Sequence, residues 1–364
     1  MSNSESLSVE LRQDFIQLIA KHTGLKVRER EQATLCEKIF LRMKALKLSL
    51  PENYYQLLES ATLDSNQEWQ KFVVDITNLE SYFFRDQGQF FLLKNHILPE
   101  IIQRQQHSKT LRICSAGCST GEEPYSLAIL LKEMIPELEQ WNLVLLGIDI
   151  NQEALQKAKT GIYRPWSFRN VDEEIKQRYF QLINNQYHLD QQIKEMLNFQ
   201  ALNLVKDSFP QTNTELRDLD LILCRNVFIY FESSAIAKVL DKFYQTLQPG
   251  GYLITGHAEL SEQNLSKFQT KVFPESLVYQ RQVDNLDDIP QLSQPNDYLP
   301  LEYLSLAENE NNFDKTNISL HQVALNLLKQ LPPETKIPKL GNLTAAELIL
   351  KVETVLKIID REIP

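Results

Sequence analysis

Residues 116–126 read Ala-Gly-Cys-Ser-Thr-Gly-Glu-Glu-Pro-Tyr-Ser, a turn of small residues running straight into two carboxylates. A strand, a glycine turn and a helix start together make a cradle for a nucleotide-like ligand, because backbone amides can close on it there. Gly117 and Gly121 stand four apart, so the dinucleotide spacing G-x-G-x-x-G is not met. No lysine follows Gly121, as a phosphate loop would require. Glu122 and Glu123 would also repel a phosphate at the point where it should sit. A cationic ligand removes the conflict. S-adenosylmethionine carries a sulfonium, an ammonium and a carboxylate, and no phosphate. Gly117 would let the backbone approach its methionine part closely. Glu123 would bond the ammonium, and Asp149, at the tip of the next apolar run, would accept from both ribose hydroxyls. Glu122 taken alone is explained by offsetting the helix dipole.

Other chemistries have less support. No Ser-His-Asp or paired-carboxylate constellation stands out. Cys36, Cys114, Cys118 and Cys224 form no C-x-x-C pair and have no histidine at ligand spacing, so they read as packed, reduced thiols, and no metal is expected. His257, Trp141 and Trp166 read as structural. A net charge of -10 over 364 residues argues against wholesale nucleic-acid binding. The charge is uneven, however. Residues 21–47 hold eight Lys/Arg against three Glu, whereas residues 281–364 hold thirteen Asp/Glu against eight Lys/Arg. No run approaches the roughly 18 apolar residues of a membrane span. The first fifteen residues lack the basic and apolar regions of a signal peptide. A cytoplasmic location is therefore expected.

These side chains need a scaffold. Residues 7–80 carry helical periodicity: Leu11, Phe15, Leu18 and Ile19 fall on one face with Gly24 as a stop, then Leu35, Ile39, Met43 and Leu46 on the next. Pro51 opens a further helix. After Thr110 the pattern changes to alternating strands and helices: strands over 111–116, 142–150 and 219–231, and a helix, Pro-Gly-Gly turn and strand over 234–260. That alternation predicts a mostly parallel sheet covered on both faces. Residues 162–202 break the rhythm and read as an insertion with a small antiparallel piece. Residues 282–364 read as a polar, proline-bearing linker followed by helical stretches.

The strings Ser-Ala-Gly-Cys-Ser-Thr-Gly-Glu-Glu-Pro-Tyr-Ser, Gly-Ile-Asp-Ile-Asn, Cys-Arg-Asn-Val-Phe-Ile-Tyr-Phe and Glu-Ser-Tyr-Phe-Phe-Arg-Asp closely resemble those of the bacterial chemotaxis-receptor methyltransferases (CheR) over about residues 10–281. The resemblance implies a fold class: an α/β, Rossmann-like S-adenosylmethionine-dependent methyltransferase sheet with a small β-subdomain insertion, preceded by an all-α N-terminal domain. The implied division is 1–80, 81–281 and 282–364. It implies methyl transfer from S-adenosylmethionine to glutamate side chains on the helical cytoplasmic region of a receptor, with S-adenosylhomocysteine as product. Carried over by position, cofactor contacts would come from Ser81, Arg85, Glu123, Asp149, Asn203, Leu204, Asn226 and Val227, and Arg85 and Tyr230 would sit beside the transferred methyl. The aromatic run 82–84 would be core that fixes Arg85. Leu79 stands where the family commonly carries asparagine, with Asn78 displaced by one, and Ser81 replaces a threonine. The basic helix with Lys38, Arg42 and Lys44 corresponds to the family's receptor-facing region and would dock an acidic partner. The insertion resembles a subdomain that in some members grips a receptor-tail peptide. Two other readings stay open: a same-fold methyltransferase acting on RNA or a small molecule, and a cofactor-binding signalling scaffold.

Overall fold

The structure is a computed structural model and describes residues 7–211 and 214–282. Four helices come first: α1 (Val9–Thr23), α2 (Gln32–Leu46), α3 (Pro51–Glu59) and α4 (Leu63–Ile76). Their boundaries follow from ordinary capping. Ser8 accepts from the Leu11 amide to start α1, and Gly24 ends it with φ 81°, a left-handed conformation that costs glycine little. Phe15, Ile19, Leu35, Ile39, Met43, Tyr54 and Phe72 close into one apolar cluster, as the periodicity predicts. Each fully buried large side chain there contributes about 1.5–3 kcal/mol relative to exposure.

Two helices not anticipated from the sequence follow, α5 (Gln87–Leu92) and α6 (Leu98–Arg104), joined through a π-helical turn at Leu93–Ile97. Pro99, which lacks the amide an unbroken helix would use, sits just beyond that turn. The chain then alternates: β1 (Thr110–Ala116), α7 (Glu122–Met134), β2 (Asn142–Asp149), α8 (Gln152–Thr160), β3 (Ile162–Tyr163), α9 (Glu173–Tyr179), β4 (Phe180–Ile183), β5 (Gln186–Leu189), α10 (Gln191–Glu195), β6 (Leu197–Ala201), β7 (Leu219–Cys224), α11 (Ser233–Thr246), β8 (Leu247–Thr255), β9 (Phe268–Val272) and β10 (Leu277–Arg281).

The main sheet has the order β6-β2-β1-β7-β8-β10-β9. Strands β6 to β8 are parallel to one another, and β10 and β9 add an antiparallel edge. It is a Rossmann-like sheet, with apolar clusters on both faces. From β1 the chain first moves to one side, to β2, and later returns on the other side as β7. The crevice between the C-terminal ends of β1 and β7 is therefore the switch point where such sheets bind ligands.

Two expectations need adjusting. The run 219–231 is strand only to Cys224, because Asn226 takes φ 57° and residues 228–230 coil into a helical turn. The insertion closes near residue 196 rather than 202, since β6 pairs in parallel with β2 as an edge of the main sheet. Its mixed apolar and polar pattern, buried only at Leu197, gave little strand signal. The antiparallel piece within the insertion is the three-stranded sheet β3-β5-β4. The expected linker and tail helices after residue 282 lie outside the described residues. Among the described residues, no helix is long and apolar enough to cross a membrane.

Candidate active site

The glycine turn after β1 is shaped by a close approach. Gly117 has φ 73° and donates to the Ile148 carbonyl at 2.8 Å. A Cβ there would lie 2.4 Å from Val227 Cγ2, so only glycine lets the turns after β1 and β7 meet. Asp149 ties the turn to the end of β2. Its carboxylate accepts from the amides of Ser119 and Asn151, each at 2.8 Å. Burial pushes the Asp149 carboxyl up, and these amides only partly pull it back. Asp149 also lines the cavity.

The two adjacent glutamates have different roles. Glu123, in the first turn of α7, accepts from Ser115 Oγ at 2.7 Å and Arg225 Nη1 at 3.0 Å, and lines the cavity. Glu122 is 3% exposed and accepts from Thr120 Oγ1 at 2.7 Å and Ser167 Oγ at 3.1 Å. Burial pushes its carboxyl up. The dipole account of Glu122 is thus incomplete: this side chain stitches the glycine turn to the insertion.

Arg85 sits between two strained residues, Phe84 at φ 52° and Asp86 at φ 65°. Neighbouring groups restrain them. Phe83 is fully buried and stacks on Phe168, with ring centroids 5.0 Å apart, and its amide donates to the Ser167 carbonyl. The Phe84 amide donates to Ser126 Oγ at 2.9 Å. The Arg85 guanidinium donates to the Glu80 carbonyl at 3.2 Å and lies 5.4 Å from the Tyr82 ring centroid. Tyr230 lines the same cavity, its hydroxyl accepting from Asn78 Nδ2 at 2.8 Å. The asparagine displaced by one position therefore still reaches the cavity and holds Tyr230 there. His257, 2.6 Å from Asp86, is outside the cavity lining. Burial pushes Asp86 up, but the His257 hydrogen bond and charge hold its carboxyl below the ordinary range.

The helical bundle forms the other wall. Leu25 bridges to Phe231, Lys26 N donates to the Tyr230 carbonyl at 2.7 Å, and Arg28 Nη2 to the Ile229 carbonyl at 3.0 Å. From the sheet side, Glu259 accepts from the amides of Asn226 and Ile229, each at 3.2 Å. The Tyr230 turn is thus clamped from both directions.

Together these elements enclose about 540 Å³, within the roughly 300–1,000 Å³ of small-molecule sites. Ser81, Arg85, Gly117, Glu123, Asp149, Asn203, Leu204, Asn226, Val227 and Tyr230 all line it, as does Lys38. One of the expected roles is corrected by geometry. Arg42 is committed to Glu68, with two contacts of 2.8 Å to a carboxylate only 3% exposed, so it presents no free charge to a partner. The Asn203 side chain donates to the His22 carbonyl and accepts from the amides of Val205 and Lys206, so it shapes the loop after β6 where that loop borders the cavity. Lys44 is exposed but outside the cavity lining. Cys114, Cys118 and Cys224 are buried and burial pushes their thiols up, so they pack rather than react. Sequence reasoning missed Arg225 and Gln89. A lone cation directly after six buried strand residues was the available signal.

The pieces fit S-adenosylmethionine: a turn that only glycine allows, a carboxylate for the ammonium, a second for the ribose and a volume of the right size. The description "CheR methyltransferase, SAM binding domain" matches residues 79–275. The chemotaxis protein methyltransferase of Borreliella burgdorferi is 30% identical over 265 residues, 71% of this chain and 92% of that protein. That of Escherichia coli K12 is 32% identical over 248 residues, 67% of this chain and 82% of the other. Chemotaxis protein methyltransferase 2 of Vibrio cholerae is 35% identical over 216 residues, 59% and 74% of the two chains. Fold, cavity and sequence converge, and the chain belongs to the CheR family of S-adenosylmethionine-dependent methyltransferases.

Proposed function

We propose that this enzyme moves the methyl group of S-adenosylmethionine to glutamate side-chain carboxylates of chemotaxis receptors, leaving glutamate methyl esters and S-adenosylhomocysteine. The observation that carries this reading is the pairing of Arg85 and Tyr230 in the cavity that Glu123 and Asp149 also line. A guanidinium and a phenol converging on one space suit a carboxylate acceptor. The cofactor supplies an electrophilic methyl on a sulfonium. A glutamate, with a reference pKa of about 4.3, is already ionised at neutral pH, so the nucleophile needs no general base. Orientation is what the protein adds, an effect that can reach roughly 7–11 kcal/mol when the reacting atoms are held in line. Arg85 orients the incoming carboxylate without neutralising it, and Tyr230 offers a second hydrogen bond. Glu123 holds the cofactor's ammonium and Asp149 its ribose, while Ser81, Gly117, Leu204, Asn226 and Val227 complete the wall.

The division of labour we assign is docking to residues 1–80 and transfer to residues 81–281. Of Lys38, Arg42 and Lys44, Lys38 is the one placed to meet receptor glutamates, because it borders the cavity itself, as Lys26 and Arg30 also do. The test is incubation with methyl-labelled S-adenosylmethionine and membranes containing chemoreceptors. Base-labile label on receptor glutamates is expected. Cofactor binding with no transfer would favour a signalling scaffold, and label on RNA or a small molecule would replace the acceptor.

A further inference from the structure

Arg225 directly follows β7, and only 2% of its side chain is exposed. Its guanidinium donates in three directions. Nη1 reaches Glu123 Oε2 at 3.0 Å, Nη2 reaches the main-chain oxygen of Arg85, and Nε reaches Gln89 Oε1. Gln89 is fully buried and donates in turn to the Thr255 carbonyl and Ser276 Oγ, both at 2.8 Å. The end of β8 and the turn before β10 thus anchor Gln89, Gln89 aims Arg225, and Arg225 grips both halves of the site.

The contacts are unequal in kind. Glu123 has a second donor in Ser115, so its carboxylate does not depend on Arg225 alone. The Arg85 carbonyl lies between two residues with left-handed backbones, a segment that relaxes unless its surroundings over-determine it. A planar fork of fixed geometry suits that task, and an ammonium, a single point of charge, does not.

We propose that Arg225 is a positioning residue for methyl transfer: one rigid guanidinium sets the Glu123 carboxylate and the Arg85 main chain relative to each other. This rests on the roles given above to Glu123 and Arg85. The distance between cofactor and acceptor is then built into the fold and does not have to be found at each turnover.

The experiment is a double-mutant cycle between Arg225→Lys and Arg85→Lys, reading thermal stability, cofactor Kd, and kcat and KM on receptor membranes. Arg225→Lys keeps a cation beside Glu123 but cannot hold all three partners. Its expected signature is a cofactor Kd within about threefold of wild type with kcat down about 10- to 100-fold, the scale of a small misplacement. In the Arg85→Lys background the same change should lower kcat by less than about twofold, because the two residues act as a unit. An unchanged kcat, or an equal loss of kcat in both backgrounds, overturns the proposal. If Arg225→Lys does not fold, Gln89→Asn withdraws the anchor by one methylene and is read the same way. A wild-type chain that labels no receptor glutamate takes down the acceptor reading and this one together. An active wild type with an indifferent Arg225→Lys takes down this one alone.

Discussion

The two walls of the cavity are built on different principles. On the sheet side, Asp149, Glu123 and Arg225 are each pinned by two or more hydrogen bonds to amides, hydroxyls or one another. On the helical side, Lys38 is half-exposed and borders the cavity, and Arg30 is 75% exposed. The contrast follows from what each wall meets. A small cofactor presents the same atoms every time, so a preorganised surface costs nothing per turnover. On the docking role proposed above, an acidic partner would have to find the site, present one glutamate and leave, and open charge would speed that encounter. Helix α2 contains both principles one turn apart: Lys38 stays open, while Arg42 is locked to Glu68 and, through it, to Tyr54.

The strongest way to break this contrast is Arg42→Ala. Removing the guanidinium strands a Glu68 carboxylate that is 3% exposed, which costs about 3–5 kcal/mol. Chemical denaturation should register that loss. Unchanged stability combined with a raised KM for receptor would return Arg42 to the docking face. Next in size is Arg85→Ala, which should cut kcat/KM on receptor membranes by about 10²–10³, the scale for removing one preorganised donor. Cofactor affinity should fall as well. Near-normal turnover would remove Arg85 from the chemistry.

What the sequence disclosed follows the same division. The glycine turn, Glu123 and Asp149 were legible because each sits at a fixed offset from a strongly apolar strand. The helices of the first 76 residues were legible because their apolar spacing is regular. Arg42 was misread because periodicity places it on the polar face, and nothing local reveals that Glu68, 26 residues later, folds back beneath it. Motif position put Asn203 in the cavity lining, but it says nothing about the partners its side chain chooses there. Arg225 was passed over although its string was noted, since its three partners lie at residues 85, 89 and 123. Strand β6 was hidden by its edge position, where only one of five residues is buried.

The paired glutamates sharpen the comparison on a smaller scale. Glu123→Gln removes a charge that would face the cofactor's ammonium, a contact worth about 1.5–3 kcal/mol, so Kd should weaken roughly 10- to 100-fold. Glu122→Gln touches a junction instead of the ligand. Its partners are the Thr120 and Ser167 hydroxyls, which can donate or accept, so a neutral amide is tolerated and Kd should stay within a few-fold of wild type. Calorimetric titration of the two variants decides it, and equal losses would erase the distinction between them.

The smallest effect belongs to the open wall. Lys38→Glu replaces an attractive charge with a repulsive one at the cavity's edge, without disturbing any buried pair. A rim charge of this kind acts through encounter, and exposed pairs are worth about 0.2–1 kcal/mol. Reversal should therefore raise the receptor KM about three- to tenfold, with thermal stability and cofactor Kd unmoved. The effect should also shrink as salt rises, since the screening length falls from about 10 Å at 0.1 M to about 3 Å at 1 M. A KM that ignores both the substitution and the salt would mean that the receptor is positioned by shape alone, and that the charge on α2 serves only solubility.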